Sequence, residues 1–225
     1  EMFGINNLPT YEEGADWIQT KTAVYLSIGF ACLSVIISIA HIIQHLMHYS
    51  MPGIQIYVIR ILVICPVYAI SSSLALALGN NGAYAEIARD VYEAFVIYSF
   101  FNLILEYSGG ETDCIYQIEN EPQLHMPCPL CFLKPRPRDA RLMRFCHRGV
   151  LQFVIIKPIV AALDTIMIAT GNKSKFGYEV FVFIVYNISY GWALYCMFVF
   201  YQAIQKLIKK FRPILKFASV KSIVF

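Results

Sequence analysis

The chain has 225 residues, 58% of them hydrophobic and only 15% charged, with a mean hydropathy of +0.56. That balance excludes an ordinary soluble domain and points to a membrane protein with several spans. Net charge is +3 and the seven cysteines are scattered, so no extracellular disulfide framework is implied and nucleic acid is a poor partner for so apolar a chain.

Residues 1–20 carry Glu1, Glu12, Glu13 and Asp16 with Pro9 and Gly14, and read as an acidic segment outside the membrane. Span one is predicted at about 21–48, with Ser34, Ser38, His41, His45 and His48 along one helix face. His41 and His45 have metal-ligand spacing, but nothing else on that helix completes a set, and no metal or cofactor is assigned. Span two is predicted at about 55–78 after a Met51-Pro52-Gly53 turn. Arg60 lies inside it, either snorkelling or paired with a carboxylate on another helix. Pro66 is expected to kink the span, and Ser71, Ser72 and Ser73 suit close helix contact.

Gly79-Asn80-Asn81-Gly82 breaks the chain before span three, at about 90–107. There Tyr92, Phe95, Ser99, Asn102 and Glu106 form one face, the expected lining of a polar cavity. Hydrogen bonding between helices is the competing role for Ser99 and Asn102. The long loop that follows, 108–146, turns from acidic to basic, ending in Lys134, Arg136, Arg138, Arg141 and Arg144. Cys128 and Cys131 sit between the halves as candidate palmitoylation sites, with zinc binding or plain free thiols as alternatives.

Span four holds Lys157-Pro158, with Asp164 seven residues on and nearly on the same face. Lys157 lies about 10 Å in from the basic end. A lysine at that depth costs about 2.5–3.5 kcal/mol and normally faces the protein interior or water. Two roles stay open: a charged functional site, or a salt bridge or snorkelling lysine with no ligand. Pro158 removes a backbone donor and is expected to loosen the preceding turn. Asn172-Lys173-Ser174 in the next loop is an N-glycosylation pattern. Span five, about 179–206, places Asn187 at mid-depth, and a sixth apolar segment from Pro213 carries Lys221. The chain opens on Glu1 and closes inside that apolar run, as part of a longer protein would.

Lys and Arg divide four against eleven between the two sides, with the loop 108–146 on the richer side. The positive-inside rule then places that loop in the cytoplasm and the N-terminus and Asn172 outside. The predicted fold is all-α: a polytopic membrane helical bundle with five complete spans plus the start of a sixth. Its parts are 1–20 outside, 21–107 spans one to three, 108–146 the cytoplasmic loop, and 147–225 spans four and five with the start of span six.

The stretches IQIYVIRILVICPVYA (54–69), DVYEAFVIYSFFNLILEYSGGE (90–111), LMRFCHRGVLQFVIIKP (142–158), IVYNIS (184–189) and PILKFASVKSIVF (213–225) resemble the transmembrane protein 184 family, which is related to the alpha subunit of the organic solute transporter. The resemblance implies seven helices with the N-terminus outside, in a plasma or endosomal membrane. It departs at Ser71-Ser72-Ser73, where a D-S-W motif is expected. It implies facilitated movement of steroid-like or other amphipathic organic anions, with a single-span partner subunit or a homo-oligomer. A receptor or trafficking scaffold that transports nothing is the alternative, and an intramembrane enzyme is the least supported. For transport, Lys157, Arg60 and Lys221 would neutralise the anion, Asn102 and Asn187 would hydrogen-bond it, and Glu106 and Asp164 complete the polar set; membrane lipids are the other partners.

Overall fold

The computed structural model describes residues 21–78, 82–127, 135–170 and 176–208. The outer segments 1–20 and 209–225 therefore lie outside the described residues, as do Asn172, Cys128, Cys131 and Lys221. Seven helical segments follow in order. The first, α1 (Lys21–Met47), is apolar nearly all round and buries only Ala23, Val24 and Ser38. It stands at the rim of the bundle with Phe30 and Ile36 exposed, as a lipid-facing helix does. The turn after it is held by Gln55, whose amide donates to the His48 carbonyl at 2.7 Å while its side-chain oxygen accepts from the Met51 N–H at 3.1 Å.

Span two is two helices, α2 (Pro52–Leu62) and α3 (Ile64–Leu78), separated at Val63. Pro66 is the physical reason. It has no N–H for the Leu62 carbonyl, and its ring crowds that oxygen, so the helix yields one turn earlier. The small-residue reading of 71–73 holds at Ser73, whose hydroxyl meets the Ser27 hydroxyl of α1 at 2.9 Å.

The central element is α4 (Ala83–Tyr107), packed against α2, α3 and α6. It buries Ala94, Ile97, Phe100, Phe101 and Ile104 among others. Gly109 and Gly110, at φ +93° and +89°, then reverse the chain in a conformation that side chains resist. The described residues of the predicted loop 108–146 hold more structure than their composition suggests. They contain α5 (Gly110–Glu119) and a two-hydrogen-bond bridge between Leu124 and Arg136. Arg138 donates to the Ala203 carbonyl at 2.9 Å, and Glu121 pairs with Lys206.

The next helix, α6 (Ala140–Ala169), starts inside the predicted loop 108–146. Asp139 explains the early start: its carboxylate caps the helix, accepting from the Arg141 and Leu142 N–H groups at 3.1 and 3.0 Å. Pro158 does not interrupt α6, which runs on as one helix. The last described helix is α7 (Phe176–Ile208), packed along α6. Close approach of the pair depends on Gly149, where a Cβ would collide with the Cys196 sulfur and lie 2.9 Å from its Cβ. The core between α4, α6 and α7 is aromatic: Phe101 meets Phe200 at 4.4 Å, and His147 stacks on Phe101 and Tyr98.

Among the described residues, four helical units are long and apolar enough to cross a membrane: α1, the α2–α3 pair, α6 and α7. The predicted third span, α4, is not among them, because Glu86, Arg89, Asp90, Glu93 and Glu106 break its apolar character. Glu93 is buried against other helices and Arg89, Asp90 and Glu106 are partly covered by them, which makes those charges tolerable.

Candidate functional site

Lys157 is 7% exposed, yet it borders a cavity of 390 Å³ between α4, α6 and α7. The alternation of apolar and polar turns on α6 aims Lys157, Ala161 and Asp164 toward α4 and α7. From α4 come Ile87, Asp90 and Glu93; from α7, Tyr178, Glu179, Phe183 and Tyr186. The Lys157 ammonium donates to Asp90 Oδ2 at 3.1 Å and sits 3.9 Å from the centre of the Tyr186 ring. The carboxylate and the ring face offset the cost of burying the charge.

Asp90 is shared. Its Oδ1 lies 3.5 Å from Arg89 Nη2, and the Asp90 side chain is 38% exposed. Arg89 in turn lies over the Tyr68 ring at 5.3 Å, and the Tyr68 hydroxyl donates to Glu93 Oε2 at 3.4 Å. Four helices are therefore tied by one polar chain: α3 through Tyr68, α4 through Arg89, Asp90 and Glu93, α6 through Lys157, and α7 through Tyr186. At the cavity mouth Asp164 accepts from the Tyr178 hydroxyl at 2.7 Å. Four carboxylates and one lysine line the space, so it is electronegative apart from the spot at Lys157.

The predicted site residues separate into places. Lys157 and Asp164 share the cavity, but the ion partner of Lys157 is Asp90 rather than Asp164 or Glu106. The predicted cavity face of α4 packs against α2 instead. Tyr92 donates to the Arg60 carbonyl at 2.7 Å, Arg60 lies over Tyr57 and Phe95, and Glu106 approaches Gly53. Asn102 and Asn187 each turn their amide onto their own helix, to the carbonyls of Tyr98 and Phe183. Asp90 and Glu93 are the residues that periodicity missed. Their signal was a second stripe on α4, Ile87, Asp90, Glu93 and Ile97, at spacings of three and four.

Among the described residues no group of three His, Cys, Asp or Glu side chains converges as a metal would require. His41 on α1 and His48 just after it are exposed, and His45 on α1 is half-buried. The described cysteines are free thiols. Cys114 on α5, outside the spans, has its thiol pushed up to about 11, first by burial and then by the Glu111 charge, against a lowering hydrogen bond with Ser108. It is a protonated, poorly nucleophilic thiol at neutral pH.

Residues 23–225 match the family model described as organic solute transporter Ostalpha. A transmembrane protein 184 homolog of Dictyostelium discoideum is 34% identical over 211 residues, covering 90% of this chain and 42% of that protein. The chain thus spans less than half the length of that relative. No solved structure matches it. The matched family is one of transporters rather than enzymes, and the match extends over all seven described helical segments from Ala23 onward. With nearly its whole length inside that match, the chain belongs to the Ostalpha and transmembrane protein 184 family of integral membrane proteins.

Proposed function

We propose that this protein binds amphipathic organic solutes at the α4–α6–α7 cavity and moves them by facilitated diffusion. One observation carries the reading: Lys157 is a buried cation on the wall of an open cavity, and its partner Asp90 is already half held by Arg89. A solute anion can take the place of Asp90 at Lys157 while Asp90 stays paired to Arg89. The other three lining carboxylates repel any further negative charge, so a monoanion with its charge at one end fits and a dianion does not. At 390 Å³ the cavity lies toward the small end for an organic ligand. It takes the charged head and part of the body; the remainder lies along exposed apolar surface such as Phe183. The proposed setting keeps the N-terminus outside and the α5 end in the cytoplasm, because basic residues crowd that end.

The test is flux of a singly sulfated steroid into liposomes holding only this chain. Lys157→Met should lose most of the flux while keeping a cooperative thermal transition, and a disulfated steroid should not be moved. Full flux in Lys157→Met overturns the reading, as does selective movement of a cationic amphiphile. A second reading, a receptor or trafficking scaffold, is favoured by one fact: Lys157 already has an ion partner without any ligand. Absence of all solute flux, with lipid or protein binding intact, would select it.

A further inference from the structure

We infer that the outer face between α6 and α7 is a second site, built for an anionic phospholipid and separate from the Lys157 cavity. Arg141, Arg144 and Arg148 recur at spacings of three and four along one face of α6. All three are exposed, and among the described residues none forms an ion pair. They border a groove of 450 Å³ with Phe145 and Trp192, whose rings meet edge to face at 5.9 Å. Gln152 and Trp192 also border a second groove, of 780 Å³, walled by Ile156, Ile184 and Ile188. The two grooves therefore adjoin at Gln152 and Trp192 along the helix pair.

Size and chemistry select the occupant. From Arg141 to Ile156 the path runs roughly 22 Å at about 1.5 Å per residue. That is about one leaflet, half of a bilayer some 40–45 Å thick with its headgroups. Forked guanidinium donors match phosphate oxygens. Trp192 sits where an amphipathic ring prefers the boundary between headgroup and acyl chain. Ser189, buried on the apolar stretch, has a hydroxyl without a hydrogen-bond partner among the described residues. That hydroxyl is enclosed by protein, so selection of the lipid rests on the arginines and the apolar wall. A polyanionic peptide would use the arginines and leave the apolar groove empty. A zwitterionic lipid would fill the groove but add no net countercharge to three arginines.

Trp17→Phe leaves Trp192 as the only tryptophan, and its emission then reports on the groove. The full chain is placed in phosphatidylcholine nanodiscs containing brominated phosphatidylglycerol, or brominated phosphatidylcholine as control. Brominated phosphatidylglycerol should quench Trp192 at several-fold lower mole fraction. Each of Arg144→Gln and Arg148→Gln should reduce that preference about fivefold, as one juxtamembrane cation near an anionic surface does. Arg144→Lys with Arg148→Lys should keep part of the preference, which separates lost charge from lost fold. Equal quenching by the two lipids overturns the site, as does a preference that survives the double glutamine variant. Soluble glycerophosphate that displaces the lipid at equal concentration also overturns it, since the acyl groove would then contribute nothing.

Discussion

One helix, α6, carries basic residues in two opposite conditions. Lys157 is buried, paired with Asp90 and covered by Tyr186, whereas Arg141, Arg144 and Arg148 are exposed and have no ion partner among the described residues. The difference teaches that depth decides what a cation needs. A buried cation requires a protein carboxylate before any ligand arrives, because an unpaired charge there costs several kcal/mol. A cation at the membrane boundary needs none, since water and lipid phosphates solvate it. Substitutions at the two places should therefore separate by size, and that separation can be broken.

The largest effect is expected at the buried pair. Asp90→Ala removes the carboxylate that pairs with the Lys157 ammonium and leaves the Tyr186 ring against it; it should cost about 3 kcal/mol, the lower end for breaking a buried pair because that ring remains. Lys157→Met removes the buried charge itself and leaves Asp90 half exposed beside Arg89. Its cost should be under about 1 kcal/mol, as for a hydrophobic replacement of a buried ion. Thermal unfolding of both variants in the same micelles checks the asymmetry. Equal losses would mean that Lys157 is solvated by water in the cavity rather than by Asp90.

The next effect sharpens the boundary between the two places. Gly149→Ala drives a Cβ into Cys196, and overpacking of this kind costs about 1–3 kcal/mol. Cys196→Ala in the same chain should restore at least half of the loss, measured as a double-mutant cycle. Without that rescue, the α6–α7 contact yields by backbone shift, and the groove and the cavity are not held apart rigidly.

Much of this was legible in the residues, and the misses have physical causes. Hydropathy marked α1, α2–α3, α6 and α7, because lipid-facing helices are apolar on most sides. It singled out Lys157 for the same reason: a cation stands out in an apolar run. Its partner was not legible, since Asp90 is 67 residues away and looked like the start of a span. Periodicity also picked the face of α4 that packs on α2 rather than the one that lines the Lys157 cavity. Both faces of α4 are buried, one against α2 and one against α6, so a polar stripe does not say which neighbour it meets. The loop 108–146 hid α5 and the early start of α6 because neither depends on apolar periodicity. One is set by two left-handed glycines and the other by the Asp139 cap.

A smaller effect belongs to the cavity mouth. Tyr178→Phe deletes a hydroxyl that donates to Asp164 at 2.7 Å. A hydrogen bond to a charged acceptor contributes about 1.5–3 kcal/mol when buried, but this one is partly exposed, so about 1 kcal/mol is expected. The variant should also alter the concentration at which the monoanionic steroid half-saturates flux, because the freed carboxylate repels it. Unchanged half-saturation would place the entry route away from the Asp164 end of the cavity.

The smallest effect on stability should come from the residues with the largest effect on lipid selection. Arg148→Gln removes no ion pair found among the described residues, and the side chain lies at the surface. Surface changes of this sort stay within about 0.5 kcal/mol. Unfolding in uncharged detergent should therefore be unchanged, while in nanodiscs with anionic lipid the wild-type chain gains stability that the variant lacks, because a ligand bound only to the folded state stabilises it by mass action. A variant that unfolds early in uncharged detergent would show Arg148 to be a structural cation like Lys157. The contrast between buried and boundary charges on α6 would then fail at its weaker end.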